Sequence, residues 1–138
     1  MALSGSPGGD VVLTRGAALA RRLDAGLLGV HVRPVGPPEA DPGFDVDGID
    51  ASHKIAILAG LAFGAAPAID HVYVEGIRHI ALRDMEFAAE LGYRIRLLGI
   101  AELTSSGVVQ RVHPCMVPES SPLAAVHGVY NAVMAEGD

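Results

Sequence analysis

The run DASHKIAILAGLAFG, from Asp50 to Gly64, limits what this chain can fold into more than any other stretch. It predicts a helix with Ile55, Ile57, Leu58, Leu61, Ala62 and Phe63 on every side, so that helix is expected to be buried. Asp50 follows Gly48-Ile49 and precedes good helix formers, which suits an N-cap, and Ala65-Ala66-Pro67 should end the element. The apolar run up to Ile69 is too short, and too often broken by Gly and Pro, to span a bilayer. Asp50 and Lys54 are i and i+4 on one face, with the acid on the N-terminal side. Lys54 is thus expected where solvent and interior meet.

Just upstream, Glu39, Asp41, Asp45 and Asp47 lie on a Gly/Pro-broken segment that reads as an irregular acidic loop. Carboxylates in a loop, with one lysine at the mouth of a buried helix, would suit a small cationic molecule that needs a proton. By spacing alone, Asp50 and Lys54 read first as a helix-surface ion pair worth about 0.2–0.5 kcal/mol, since such pairs are common. The loop is equally a solvated surface or a weak cation site, and it lacks the Asp-x-Asp-x-Asp-Gly spacing of an EF-hand.

A length of 138 residues predicts one domain, and three Phe, three Tyr and no Trp predict a core of Ala, Val, Leu and Ile. The net charge of −6, without a basic run, argues against nucleic acid or an anionic membrane as partner. Cys115 alone cannot form an internal disulfide, which fits a reducing cytoplasm, and it is expected to be a buried, inert thiol on a strand. His53, His79, His113 and His127 show no zinc-ligand spacing, Arg78 and His79 read as surface groups, and no signal peptide is read.

Residues 1–38 are rich in Gly, Pro, Ala and Arg, with one short helix expected over Ala17–Leu28. Beyond them the pattern is regular. His71–Ile77 reads as a strand, and Ala81–Leu91 as an amphipathic helix with Met85, Ala88 and Leu91 inward, stopped by Gly92. Tyr93–Leu103 alternates as a half-exposed strand, and Ser105-Ser106-Gly107 turns the chain into Val108–Val117. A short helix over Leu123–Val126 and a last strand over Val129–Ala135 complete the reading. The expected fold is α+β, a mixed sheet with helices on one face, the other face covered by a second subunit in a homodimer.

The segments GIDASHKIAILAGLAFG, VYVEGIRHI (72–80), DMEFAAELGYRIRLLGIAEL (84–103), VVQRVHPCMVP (108–118) and SPLAAVHGVYNAV (121–133) closely resemble, in order, the catalytic, substrate-binding domain of homoserine dehydrogenase. That family interconverts aspartate 4-semialdehyde and homoserine with NADPH or NADH, on the route to threonine, methionine and isoleucine. The resemblance runs from Glu39 to Asp138. It implies that Lys54 is the catalytic lysine and Asp50 its acid partner, and that Glu39 and Asp45 grip the substrate ammonium. The chemistry agrees, because a placed ammonium can stabilise charge developing on a carbonyl oxygen and supply the proton.

Residues 1–38 do not read like the family, with only Val12-Leu13-Thr14-Arg15 echoing its usual turn. A truncated or frame-shifted gene product would look like this, and so would a divergent member; the former is the reading adopted. Gly5-Ser6-Pro7-Gly8-Gly9 has the wrong spacing for a dinucleotide turn, contains a proline and is expected to have no strand before it. The chain should therefore bind no cofactor and no metal by itself, and should be inactive alone. The alternative function is a non-catalytic small-molecule-binding or dimerising module derived from that domain.

Overall fold

The computed structural model describes residues 2–4, 25–31, 42–126 and 130–137. Strands β1 (Ala2–Ser4), β2 (Ala25–His31), β3 (Tyr73–Val74), β4 (Tyr93–Thr104), β5 (Gly107–Pro118) and β6 (Tyr130–Gly137) form one sheet in the order β1-β6-β2-β4-β5-β3. Among the described strands only β3 and β5 run parallel, so the sheet is mixed. Helices α1 (Pro42–Val46), α2 (Ile49–Phe63) and α3 (Leu82–Glu90) make the fold α+β, as expected.

The β4–β5 hairpin follows the sequence closely. Its strands pair in register from Tyr93 opposite Pro118 to Thr104 opposite Gly107, leaving Ser105 and Ser106 as the turn. The Thr104 hydroxyl donates to the Gly107 carbonyl at 2.7 Å and pins that turn. Alternation then sorts the side chains onto two faces. Leu97, Ala101 and Val112 face α2, where Ile55 and Leu58 are fully buried against them. Leu98 and Val117 face the other way and pack with Leu123, Ala124, Val126 and Ala132. Nη2 of Arg96 donates to the carbonyls of Ala124 (2.9 Å) and Val126 (3.3 Å), holding that segment down. This part of the second face is thus covered by the chain itself.

Several local expectations are corrected. The α2 helix is not buried all round: Ile57 and Leu61 are exposed, at 48% and 36%, because only one side meets the sheet. It ends at Gly64, before Ala65-Ala66-Pro67. The strand expected over His71–Ile77 shrinks to Tyr73–Val74, with a 3-10 turn at Ile69–His71 before it. Gly92 follows α3 as expected, but only Ala88 of that helix is buried, while Met85 and Leu91 are exposed. Leu123–Val126 is a turn segment, its apolar side chains drawn onto the sheet rather than wound into a helix. Residues 25–28, read as helix, belong to β2, and 17–24 lie outside the described residues. β1 stands immediately before Gly5, where no strand was expected. Among the described residues no helix is long and apolar enough to cross a membrane.

Candidate active site

Two residues, Asp47 and Gly48, join α1 to α2. Gly48 takes a left-handed conformation (φ 81°) at the N-cap of α2, the place expected for Asp50. Glycine is needed there twice over. The conformation disfavours a side chain, and a Cβ would lie 3.1 Å from Val112 Cγ1 and 3.2 Å from Val74 Cγ1. The Gly48 carbonyl accepts from Ser52 N–H at 2.9 Å, and the buried Ser52 hydroxyl donates to Ile49 O at 2.7 Å. The first turn of α2 is therefore fixed on the sheet, and Asp50 sits inside that turn rather than at its cap.

Lys54 Nζ lies 2.6 Å from Asp50 Oδ2, with the two side chains 31% and 27% exposed. The expected i,i+4 pair is thus present, at the border of the interior rather than fully in water. Asp45 belongs to the same electrostatic unit. Burial pushes its carboxyl above the ordinary carboxylate range, the Asp50 charge adds to that, and the Lys54 ammonium opposes it. Asp45 stands on the short helix α1, where the sequence suggested irregular loop. The structure thus brings together Asp45, Asp50 and Lys54, while Glu39 and Asp41 lie outside the described residues.

Asp47 departs from the acidic cluster. Arg78 Nη2 donates to its Oδ2 at 2.9 Å, and Arg78 Nε to its Oδ1, so both oxygens are taken. That bonding holds the Asp47 carboxyl below its usual range. Arg78 is indeed at the surface, but sequence reasoning missed this contact, since 31 residues separate the partners and no spacing rule links them.

Such an arrangement can do two things. Two carboxylates favour a cation, and an ammonium held beside one of them can donate a proton to an oxygen that gains negative charge. Neither of the two longer helices offers a phosphate an N-terminus free of acids. Phosphate favours a helix N-terminus free of acids, yet Asp50 occupies the first turn of α2, and Asp84 in α3 accepts from Ala81 N–H at 2.8 Å. Among the described residues no three His, Cys, Asp or Glu side chains are grouped to hold a metal ion. Cys115, half-buried on β5, has its thiol pushed up by burial with Arg111 opposing, which favours the unreactive protonated form.

A family model described as homoserine dehydrogenase matches residues 32–138. The homoserine dehydrogenase of Pseudomonas aeruginosa is 51% identical over 108 residues, 78% of this chain and 25% of that protein. That of Neisseria gonorrhoeae is 50% identical over 108 residues, with the same shares. Among solved structures, a homoserine dehydrogenase from Thiobacillus denitrificans matches 99% of this chain and 37% of its own, with a TM-score of 0.81 at 33% identity. The S. aureus homoserine dehydrogenase at pH 6.0 matches 72% of this chain and 26% of its own, with a TM-score of 0.69 at 36% identity. The chain spans about a quarter of the length of the curated relatives it matches.

Proposed function

The chain belongs to the homoserine dehydrogenase family, and from that premise we propose that it carries the substrate-binding and catalytic part of such an enzyme, interconverting aspartate 4-semialdehyde and homoserine. The observation that carries this reading is the unit of Asp45, Asp50 and Lys54 at the start of a helix anchored in the core. In the proposed roles, Lys54 gives its proton to the aldehyde oxygen as reduction places charge there, and takes one from the homoserine hydroxyl in reverse. Asp50 holds the Lys54 side chain in place. Asp45 and Glu39 bind the substrate ammonium, because paired carboxylates recognise a cation with charge-assisted hydrogen bonds.

Residues 39–138 make up this catalytic unit in the proposal, and residues 1–38 an atypical N-terminal segment. NADPH or NADH is the reductant of the whole enzyme. The reading includes that the chain alone has no dehydrogenase activity and no measurable NADPH affinity. It works in the cytoplasm, as the lone cysteine suggests, on the route to threonine and methionine. It also pairs with a second copy of itself.

The test is a chimera in which residues 39–138 replace the matching quarter of the Pseudomonas aeruginosa enzyme. Homoserine oxidation by the chimera, lost on Lys54→Ala, is the expected outcome. A folded chimera that binds homoserine but never turns it over would instead favour a non-catalytic binding module.

A further inference from the structure

One segment, Glu75–Arg78, holds the joint between α1 and α2 from outside. Glu75 N–H donates to Val112 O on β5 at 2.7 Å, and Ile77 N–H donates to Val46 O, the last residue of α1, at 2.9 Å. Between them, Gly76 comes so close that a Cβ on it would stand 2.6 Å from Val46 O and 2.8 Å from Asp47 Cα. Backbone cannot yield at that distance, so a larger residue would lift the segment off the joint. Arg78 completes the contact with its two-pronged grip on Asp47. A planar guanidinium fixes direction as well as distance, which a lysine ammonium cannot do.

We infer that Arg78 is a positioning residue for the substrate site: its grip on Asp47 fixes how α1 meets α2, and so sets where Asp45 stands relative to Asp50 and Lys54. The inference rests on the proposed role of those three residues. It follows from how unequally the two helices are anchored. The α2 helix is fixed by Ile55 and Leu58, both fully buried. The α1 helix has five residues, far below the length at which a helix sustains itself, and its Asp45 and Val46 are only half-buried. Its direction therefore depends on what grips its C-terminal end, where Ile77 N–H meets Val46 O and Arg78 meets Asp47. Arg78 and Asp47 are 62% and 44% exposed, so their pairing adds little to stability, and its consequence is geometric.

The whole 138-residue chain serves for the test, as wild type, Arg78→Ala and Arg78→Lys. Carbon-detected NMR follows the titration of the Asp45 carboxyl, calorimetry follows homoserine affinity, and thermal melts follow stability. Loss of the Arg78 charge alone would raise the Asp45 titration. A freed α1 lets water reach Asp45 and carries it away from Asp50, so the titration should fall toward the ordinary range. Arg78→Lys keeps the charge and loses the fork, and should fall partway. Homoserine affinity should weaken roughly fivefold in Arg78→Ala, while the thermal midpoint drops by no more than about 4 °C. In the double variant with Asp47→Asn the loss of affinity should match that of Arg78→Ala, because the two changes break one contact. An Asp45 titration that is unchanged or raised in Arg78→Ala, or additive losses in the double variant, would overturn the inference. Should the wild-type chain show no homoserine binding, the substrate reading is at fault, and the Asp45 titration still decides whether Arg78 positions it.

Discussion

Two ion pairs flank the start of α2, and they belong to different parts of the molecule. Asp50 and Lys54 pair within one helix at 2.6 Å, each side chain about a third exposed or less. Asp47 and Arg78 pair across 31 residues of sequence, out in solvent, through two hydrogen bonds. The first would form in any helix of this sequence; the fold adds its half-buried setting and the nearby carboxylate of Asp45. The second exists only because the chain folds back from β3, and what it adds is orientation. A local pair can thus supply the reactive group, while a distant pair, weak in energy, decides what stands around it.

The comparison breaks if both pairs matter equally for turnover. In the chimera, Lys54→Ala should lower kcat on the order of 100-fold or more with a much smaller change in KM, since the ammonium acts as charge develops on oxygen. Arg78→Ala in the same enzyme should cost less than about tenfold, most of it in KM. Steady-state kinetics on both variants decide this, and a Lys54 variant altered mainly in KM would reduce that lysine to a binding group.

Gly48 sits between the two pairs, so disturbing it should damage both. Gly48→Ala forces a side chain into the left-handed region, at about 1–2 kcal/mol, and crowds Val112 and Val74 as well. A loss of roughly 2 kcal/mol in denaturant unfolding is expected. A variant as stable as wild type would mean that the joint is softer than its packing implies.

Much of this was readable in the sequence, and the readable part was local. Asp50 and Lys54 declare themselves by a spacing of four, and the β4–β5 hairpin by alternation around Ser105-Ser106. Gly92 marks the end of α3 in the same way. What escaped depends on partners distant in the chain. β2, with the sequence AGLLGVH, has little strand character of its own, yet it lies between β6 and β4 and bonds to both. Sheet pairing there overrides propensity. Likewise Ile57 and Leu61 look like core in a helix apolar on all sides, but α2 has only one side to bury. The Arg78 contact needs the fold itself to be known. Within the candidate site, then, the Asp50–Lys54 pair was legible and the Arg78 contact with Asp47 was not.

Binding should sharpen the division among the acids. Asp45→Asn should weaken homoserine binding about tenfold, the loss expected when one charge-assisted hydrogen bond goes, and Glu39→Gln should act in the same direction. Both should leave the fold in place, within about 0.5 kcal/mol. Calorimetric titration is the check, and unchanged affinity in both variants would remove the ammonium-binding role. Asp47→Asn should weaken binding less than Asp45→Asn, since its carboxylate is committed to Arg78.

The smallest effect is on stability in acid, where the two aspartates act with opposite signs. Asp47 is held below its ordinary value of 3.8 by Arg78, so its contribution is present above that value and is lost as pH falls through the lowered one. Asp45 is raised above 3.8 by burial and by Asp50, so its ionised form weakens the native state at neutral pH. That penalty is relieved as pH falls through the raised value. At neutral pH and low salt, Asp47→Asn should therefore melt below wild type and Asp45→Asn slightly above it. On acidification both gaps close, that of Asp45 at pH above 3.8 and that of Asp47 below it. Each gap should be modest, because Asp47 is well exposed and Asp45 only half-buried, and added salt should shrink the Asp47 gap more. Melting curves from pH 7 down to about pH 2.5, the range that brackets ordinary carboxylate titration, test the signs directly. Were Asp45→Asn to melt below wild type at neutral pH, Asp45 would not be a carboxylate held at a cost near Asp50, and the division between a reactive pair and a positioning pair would lose its third member.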